Sequence, residues 1–236
     1  FDHIWIQPAA GDAGGALGAA LFVWHQILGG ERSADGENDF QRGSYLGPMW
    51  TDKEISRFLQ SESIPHRTMD EDSLTGEAAR LIAGGNVVGW YQGRMEFGPR
   101  ALGNRSIVGD ARSERMQSIM NLKIKNRESF RPFAPSVLLE NCPEYFEIEG
   151  PSPYMLLVAP VCEARRTPMT DRQKELFGID KLNVPRSDIP AVTHVDYSAR
   201  VQTVDGRYNQ KYRKLLEAFR ELTGYGVFIN TSFNVR

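Results

Sequence analysis

The 236-residue sequence has only two cysteines, Cys142 and Cys162, outside any CxxC or histidine-rich spacing. That excludes a disulfide scaffold and a thiolate zinc site. It has no apolar run near the roughly 18 residues of a membrane-spanning helix. It also lacks the charged start and apolar stretch of a signal peptide, so the expected compartment is a reducing cytoplasm. No GxxxxGK[ST] phosphate loop and no GxSxG nucleophile elbow occur. The four histidines, His3, His25, His66 and His194, form no HxxxH pair. Net charge is scarce as well: 28 Lys+Arg against 30 Asp+Glu leave −2, where a general nucleic-acid binder is strongly basic. A hydrophobic fraction of 41% with 25% charged residues excludes a mainly disordered chain. There is no internal repeat and no low-complexity segment.

What is present is an uneven distribution of that charge. Residues 94–131 hold seven arginines plus Lys123 and Lys125 against four acids, a net of +5, and leave −7 for the remainder. The chain starts at Phe1 rather than Met and stops at Arg236 directly after a strand pattern, which implies a piece of a longer protein. Gly/Ala-rich residues 1–30 contain a helix ending near Gly29, residues 31–47 read as a polar linker, and 48–236 read as the main domain. Helices are expected over 51–62, where Thr51 and Glu54 have capping-box spacing, and over 73–83, 113–122 and 208–223. Strands are expected over 86–91, 106–109, 134–139, 154–161, 191–195, 201–204 and 227–229. Residues 163–190 read as a charged, irregular excursion with a short helix around 171–177. Mixing helices with strands, the main domain is α/β or α+β.

Four segments carry the chemistry. Gly93-Arg94-Met95-Glu96-Phe97-Gly98-Pro99-Arg100-Ala101-Leu102-Gly103-Asn104-Arg105 follows a strand. Glycines let backbone amides approach an anion, and arginine forks suit phosphate oxygens; the alternative is a tight turn whose arginines pair with surface acids. Lys125-Asn126-Arg127 places two cations two positions apart, on one side if the backbone is extended. Pro132 and Pro135 stiffen the segment that follows. His194, Asp196 and Arg200 sit between two short strands. Asn230-Thr231-Ser232-Phe233-Asn234 closes the last strand with hydrogen-bonding groups. Together these segments describe one polyanion site built from strand ends.

The runs GRMEFGPRALGNRSI, NLKIKNRESFRPFAPSVL, SPYMLLV, HVDYSARVQTV and NTSFNV resemble the C-terminal domain of the nodulation-type and tobramycin-type O-carbamoyltransferases. PAAGDAGGALGAAL resembles the end of their preceding catalytic domain. The resemblance implies a YrdC-like twisted mixed sheet flanked by helices, preceded by an incomplete remnant, residues 1–30, of an actin/Hsp70-type ATPase-like domain. It implies formation of carbamoyladenylate from carbamoyl phosphate and ATP, with Mg²⁺, and transfer to a hydroxyl acceptor in the preceding domain. Acceptors of this class include nodulation factors, aminoglycosides and cephems. Lys125 and Arg127 match the family's Lys-x-Arg motif and take the catalytic positions; Ser232 and Asn234 match its Ser-x-Asn motif. Arg94, Arg100, Arg105 and Arg131 are candidates for carbamoyl phosphate or the triphosphate. His194 and Arg200 are placed beside the same pocket, and Asn230 beside Ser232. Asp12 is implied as a metal ligand in the full parent, paired with an HxxxH motif that this chain lacks; without it no iron or similar metal is expected here. The same residues taken alone also allow a helix-capping role for Asp12.

Three other readings stand beside this one, one of them a purely structural docking domain. A threonylcarbamoyladenylate synthase of tRNA modification would use bicarbonate and threonine instead of carbamoyl phosphate. A non-catalytic nucleotide- or RNA-binding module would use the +5 segment and lose affinity steeply with salt. Neither nucleic acid nor membrane is an expected partner.

Overall fold

The computed structural model describes residues 6–36 and 38–234, so the outer parts of the two terminal segments read above lie outside the described residues. Helix α1 (Asp12–Phe22) continues as a π-helical turn over Val23–Ile27. Helix α2 (Asp52–Ser61) starts at the expected capping box, with Glu54 donating its N–H to Thr51 Oγ1 at 3.3 Å while its carboxylate accepts from Thr51 N at 2.7 Å. Helix α3 (Glu71–Ala83) starts two residues before the expected position, because Asp70 accepts from Ser73 N at 2.9 Å and caps it. Then follow β1 (Val88–Tyr91), β2 (Arg105–Gly109), α4 (Met116–Ile119) with a π-helical turn over Met120–Ile124, β3 (Ala134–Leu138) and α5 (Cys142–Tyr145). The second half holds β4 (Val158–Pro160), α6 (Asp171–Lys174), α7 (Gly178–Leu182), β5 (Ser198–Arg200), β6 (Gln202–Val204), α8 (Gln210–Thr223) and β7 (Val227–Ser232). Gly224, at φ +78°, ends α8 in the left-handed conformation that favours glycine.

Two expected strands differ. Residues 190–192 form a 3₁₀ turn instead of a strand, since Pro190 has no N–H to give a ladder. The strand expected over 154–161 shrinks to β4 because Met155, at φ +54°, breaks the extended backbone. The 163–190 excursion folds into α6 and α7. Buried Arg186 braces it from within by donating to the carbonyls of Lys181, Leu182 and Val184.

The main sheet is open and mixed, in the order β1-β2-β7-β3-β6; only the β3/β6 pair is parallel. Its period-2 alternation separates two cores. Val108, Leu138, Val204 and Phe228 face α3 and α8, where Tyr212 and Phe219 meet Phe228 edge-on at ring separations of 5.6 and 5.8 Å. Ile107, Val137, Val227 and Ile229 face the other way, onto Met116, Met120, Tyr145, Phe146, Ile189 and Val201. The strands β4 and β5 form a separate antiparallel pair on that side. The expected mixed α/β class, a sheet flanked by helices, is what the chain adopts.

Residues 39–47, read from sequence as part of a linker, are bonded together with Pro48 into this body. Gly47 N donates to Met95 O and Met95 N to Pro48 O, both at 2.9 Å, and Phe97 N donates to Ser44 O at 2.7 Å. Tyr45 donates to Leu102 O at 2.8 Å, and Tyr154 donates to the Asp39 carboxylate. This strap and the loop between β1 and β2 brace one another next to the end of β7.

Glycine makes that bracing possible at Gly103. Its φ is +109°, and an added Cβ would lie 2.3 Å from the Tyr212 ring. Gly76, inside α3, faces open space. Gly103→Ala is therefore expected to lower the melting temperature, while Gly76→Ala gains about 0.5–1 kcal/mol from helix propensity. Paired thermal melts in which Gly103→Ala proves neutral would contradict the close approach.

Candidate functional site

The Leu102, Asn104 and Arg105 amides of the glycine-rich loop are turned inward and not to a ligand. The loop closes around its own anion. Glu96 is buried, and its Oε1 accepts from Leu102 N at 2.7 Å, Asn104 N at 2.8 Å and Arg105 N at 3.2 Å. Charge-assisted bonds of this kind are about twice as strong as neutral ones, and three on one oxygen fix the path of the loop. Asn104 Nδ2 also donates to Arg94 O at 2.7 Å, joining the two arms. The loop thus serves the site by placing Arg100, Ala101 and Leu102.

Beside Ala101, at the end of β7, lies a polar cleft of about 150 Å³. Arg100, Arg127 and Arg200 line it together with Asn230 and Ser232, and no carboxylate does. Burial and then repulsion from Arg100 lower the Arg200 pKa; burial and then Arg131 lower that of Arg127. The side chains hold these cations with neutral groups. Arg127 Nε donates to Asn121 Oδ1 at 2.6 Å and its guanidinium lies 4.9 Å from the Phe133 ring centre. Arg200 Nη2 meets Met155 Sδ at 3.8 Å, and its buried Nε has no partner among the described residues. Asn230, 1% exposed, keeps a buried Oδ1 without a partner as well. The cleft therefore combines unneutralised positive charge with a lining residue, Asn230, whose buried Oδ1 is unpaired, features that suit an anion carrying an N–H.

The Lys-x-Arg and Ser-x-Asn segments, over a hundred residues apart, touch directly. Lys125 Nζ donates to the carbonyls of Ser232 and Asn234 and, at 2.8 Å, to Asn234 Oδ1; Ser232 Oγ in turn donates to Asn234 Oδ1 at 2.7 Å. The backbone between Lys125 and Arg127 is not extended, in contrast to the simplest sequence reading. Asn126, at φ +46°, turns it, so the lysine reaches β7 while Arg127 reaches the cleft. Burial, followed by repulsion from Arg127, lowers the Lys125 pKa to about 8.

Of the remaining candidates, none lines this cleft. Arg105 spends its guanidinium on the carbonyls of Gln92, Gly93, Pro48 and Asn104 and stacks 3.6 Å from the Tyr91 ring centre. Arg94 is exposed, donates to Gly47 O at 3.1 Å and faces a separate groove with Arg42 and Lys211. Arg131 is exposed and lies 3.8 Å from Glu128. His194 lines a neighbouring cavity of about 280 Å³ that shares Pro132 with the cleft; burial lowers its pKa. Asp12 is exposed and is the first residue of α1, with Gly11 at the cap position, so it does not cap the helix. Among the described residues no group of three or more His, Cys, Asp or Glu could hold a metal.

Sequence reasoning missed Glu96, Ser136, Gln202 and Tyr212 as parts of the site. The available signal was Glu96 between apolar Met95 and Phe97, and Gln202 inside the strand pattern 201–204.

Comparison with known proteins bears on this geometry. A family model described as the carbamoyltransferase C-terminus matches residues 79–236, which include every residue of the cleft. An uncharacterized protein of Synechocystis, sll1178, is 60% identical over the whole chain, which covers 38% of that relative. The nodulation protein NolNO of Sinorhizobium fredii is 42% identical over 99% of the chain and 31% of its own length. The 3'-hydroxymethylcephem-O-carbamoyltransferase of Streptomyces clavuligerus is 33% identical over 99% of the chain and 38% of its own length. The chain thus spans less than two fifths of each of these relatives. No helix among the described residues is long and apolar enough to cross a membrane.

The lowered Lys125 pKa sets a pH dependence. The ammonium adds attraction for an anion below about pH 8 and loses it above. Sulfate, whose charge is constant across this range, is expected to bind several-fold more weakly at pH 9.5 than at pH 7. Lys125→Arg, which keeps its charge, should flatten that profile. Calorimetric titration at fixed ionic strength measures it, and a flat wild-type profile would count against the assignment.

Proposed function

The chain belongs to the carbamoyltransferase family, and from that membership we propose that it binds carbamoyl phosphate and ATP and makes carbamoyladenylate for transfer to an acceptor hydroxyl. The observation that carries this reading is the cleft of Arg100, Arg127 and Arg200, which no carboxylate lines and where Asn230 keeps a free Oδ1. Carbamoyl phosphate pairs a phosphoryl dianion with an amide N–H₂, the two features that such a cleft recognises. Its phosphoryl group passes to water, leaving carbamate and inorganic phosphate. A carbamate oxygen then bonds to the α-phosphorus of ATP, and the bond from that phosphorus to the bridging oxygen breaks, releasing pyrophosphate.

Both steps move negative charge among phosphoryl oxygens, so fixed cations in a dry site lower their barriers. Arg100, Arg127 and Arg200 hold those oxygens, and Asn230 Oδ1 accepts from the carbamoyl amide. Lys125 keeps its charge beside Ser232 and Asn234, which face the nucleotide. Mg²⁺ would arrive with ATP on the nucleotide's own oxygens, since no carboxylate lines the cleft. Residues up to 30 belong, in this proposal, to the preceding transfer domain. Helix α1 and its π turn support that placement: they have no buried residue, and Leu21, Phe22, Val23, Trp24 and Ile27 are 43–65% exposed. An apolar helix needs a covering partner. The relatives' names supply the acceptor class, a hydroxyl such as that of the hydroxymethylcephem.

The test is binding and turnover with each substrate. Arg127→Ala or Arg200→Ala should weaken carbamoyl phosphate binding about 10- to 100-fold, the worth of one charge-assisted hydrogen bond. Pyrophosphate release from ATP should require carbamoyl phosphate. Release that instead requires threonine and bicarbonate would overturn the proposal in favour of a threonylcarbamoyladenylate synthase.

A further inference from the structure

Asn230 can accept from a ligand N–H only while its amide is held the right way round, and the side chains that hold it lie outside the cleft. Its Nδ2 donates to Ala101 O at 3.0 Å and to Gln202 Oε1 at 2.8 Å. Turned over, the amide would set its oxygen against two oxygens. Gln202 is fixed in the same manner. Its Nε2 donates to Leu102 O at 2.8 Å, and its Oε1 also accepts from Ser136 Oγ at 2.6 Å. Ser136 has then used its one proton, so it accepts from the Tyr212 hydroxyl at 2.9 Å. Burial raises the Tyr212 pKa, so that hydroxyl keeps its proton. Tyr212, Ser136, Gln202 and Asn230 are at most 2% exposed. The one buried polar atom of these four side chains left without a partner is Asn230 Oδ1.

Resting on the reading of the cleft as a carbamoyl phosphate site, we infer that Gln202, braced by Ser136 and Tyr212, is a positioning residue. It turns the Asn230 oxygen to the acyl group and makes the cleft choose an acyl phosphate bearing an N–H over one bearing a methyl group. Acetyl phosphate has the size and charge of carbamoyl phosphate but no N–H. It would leave Oδ1 buried and unpaired, the situation in which polar sites discriminate most strongly. A Gln202 side chain with no amide would leave Ala101 O as the one acceptor holding the Asn230 amide, so the amide could turn its N–H₂ toward the ligand at lower cost and the preference would fall.

The experiment compares carbamoyl phosphate, acetyl phosphate and sulfate by calorimetry on the wild-type chain, Gln202→Met and Ser136→Ala, with circular dichroism melts to establish folding. The wild type should prefer carbamoyl over acetyl phosphate by at least about tenfold. Gln202→Met should remove most of that preference while sulfate affinity changes less than about threefold; Ser136→Ala should reduce it by roughly threefold. A merely structural role would weaken all three ligands together and leave the ratio intact. A wild-type ratio near one, or a ratio that survives in folded Gln202→Met, overturns the inference while the substrate proposal stands. If Gln202→Met does not fold, the Ser136→Ala ratio decides alone. Absence of any carbamoyl phosphate binding by the wild type overturns both.

Discussion

Three arginines converge on one cleft with no carboxylate in its lining, and the surrounding structure is arranged around that unneutralised charge. Like charges at close range repel, more so where water is excluded. The chain tolerates this by giving the cations neutral partners: an asparagine oxygen and a phenylalanine ring for Arg127, a thioether for Arg200, and two carbonyls with an amide oxygen for Lys125. Away from the cleft, Arg105 and Arg186 are likewise held by carbonyls, but other arginines are neutralised. Arg112, Arg165, Arg166 and Arg213 each meet a carboxylate at 3.1 Å or closer. Neutral partners orient a cation without cancelling its charge, so the attraction is left for a ligand.

The one carboxylate of the neighbouring loop is turned inward. Glu96 takes three backbone amides, and the arginine that emerges from the loop, Arg100, meets Arg127 and Arg200 without an acid in the lining. The fold supplies the remaining geometry. Strand β7 lies between β2 and β3, so its end meets both the loop before β2 and the arginine-bearing segment before β3. Helix α8 stands on the face of the sheet that carries Ser136 and Phe228, which brings the Tyr212 hydroxyl to the base of the Asn230 network.

Local chemistry was legible in the sequence wherever it is encoded within a few residues. Thr51 and Glu54 announced a capping box, Gly224 ended α8, and the apolar spacing of Leu215, Leu216 and Phe219 named the buried face of that helix. The +5 segment and the Asn230–Asn234 run correctly pointed to strand ends that meet. Which arginine faces the cleft was not legible. Arg94, Arg100 and Arg105 share one loop, and their directions depend on how that loop wraps Glu96, a contact among backbone amides that leaves no residue-type signature. The Lys125 contact with Ser232 and Asn234 depends on the sheet order, which sequence spacing does not give. Pro190, which has no N–H for a ladder, is a local signal against a strand at 191–195 that the strand expectation there left out.

The central claim is that the arginine cleft at the end of β7 holds an acyl phosphate whose amide meets Asn230. A crystal structure with carbamoyl phosphate and ATP tests it most directly. The account predicts the phosphoryl oxygens within about 3 Å of guanidinium nitrogens of Arg127 and Arg200, and the carbamoyl nitrogen within the same distance of Asn230 Oδ1. Carbamoyl phosphate bound elsewhere, with those groups untouched, would contradict it.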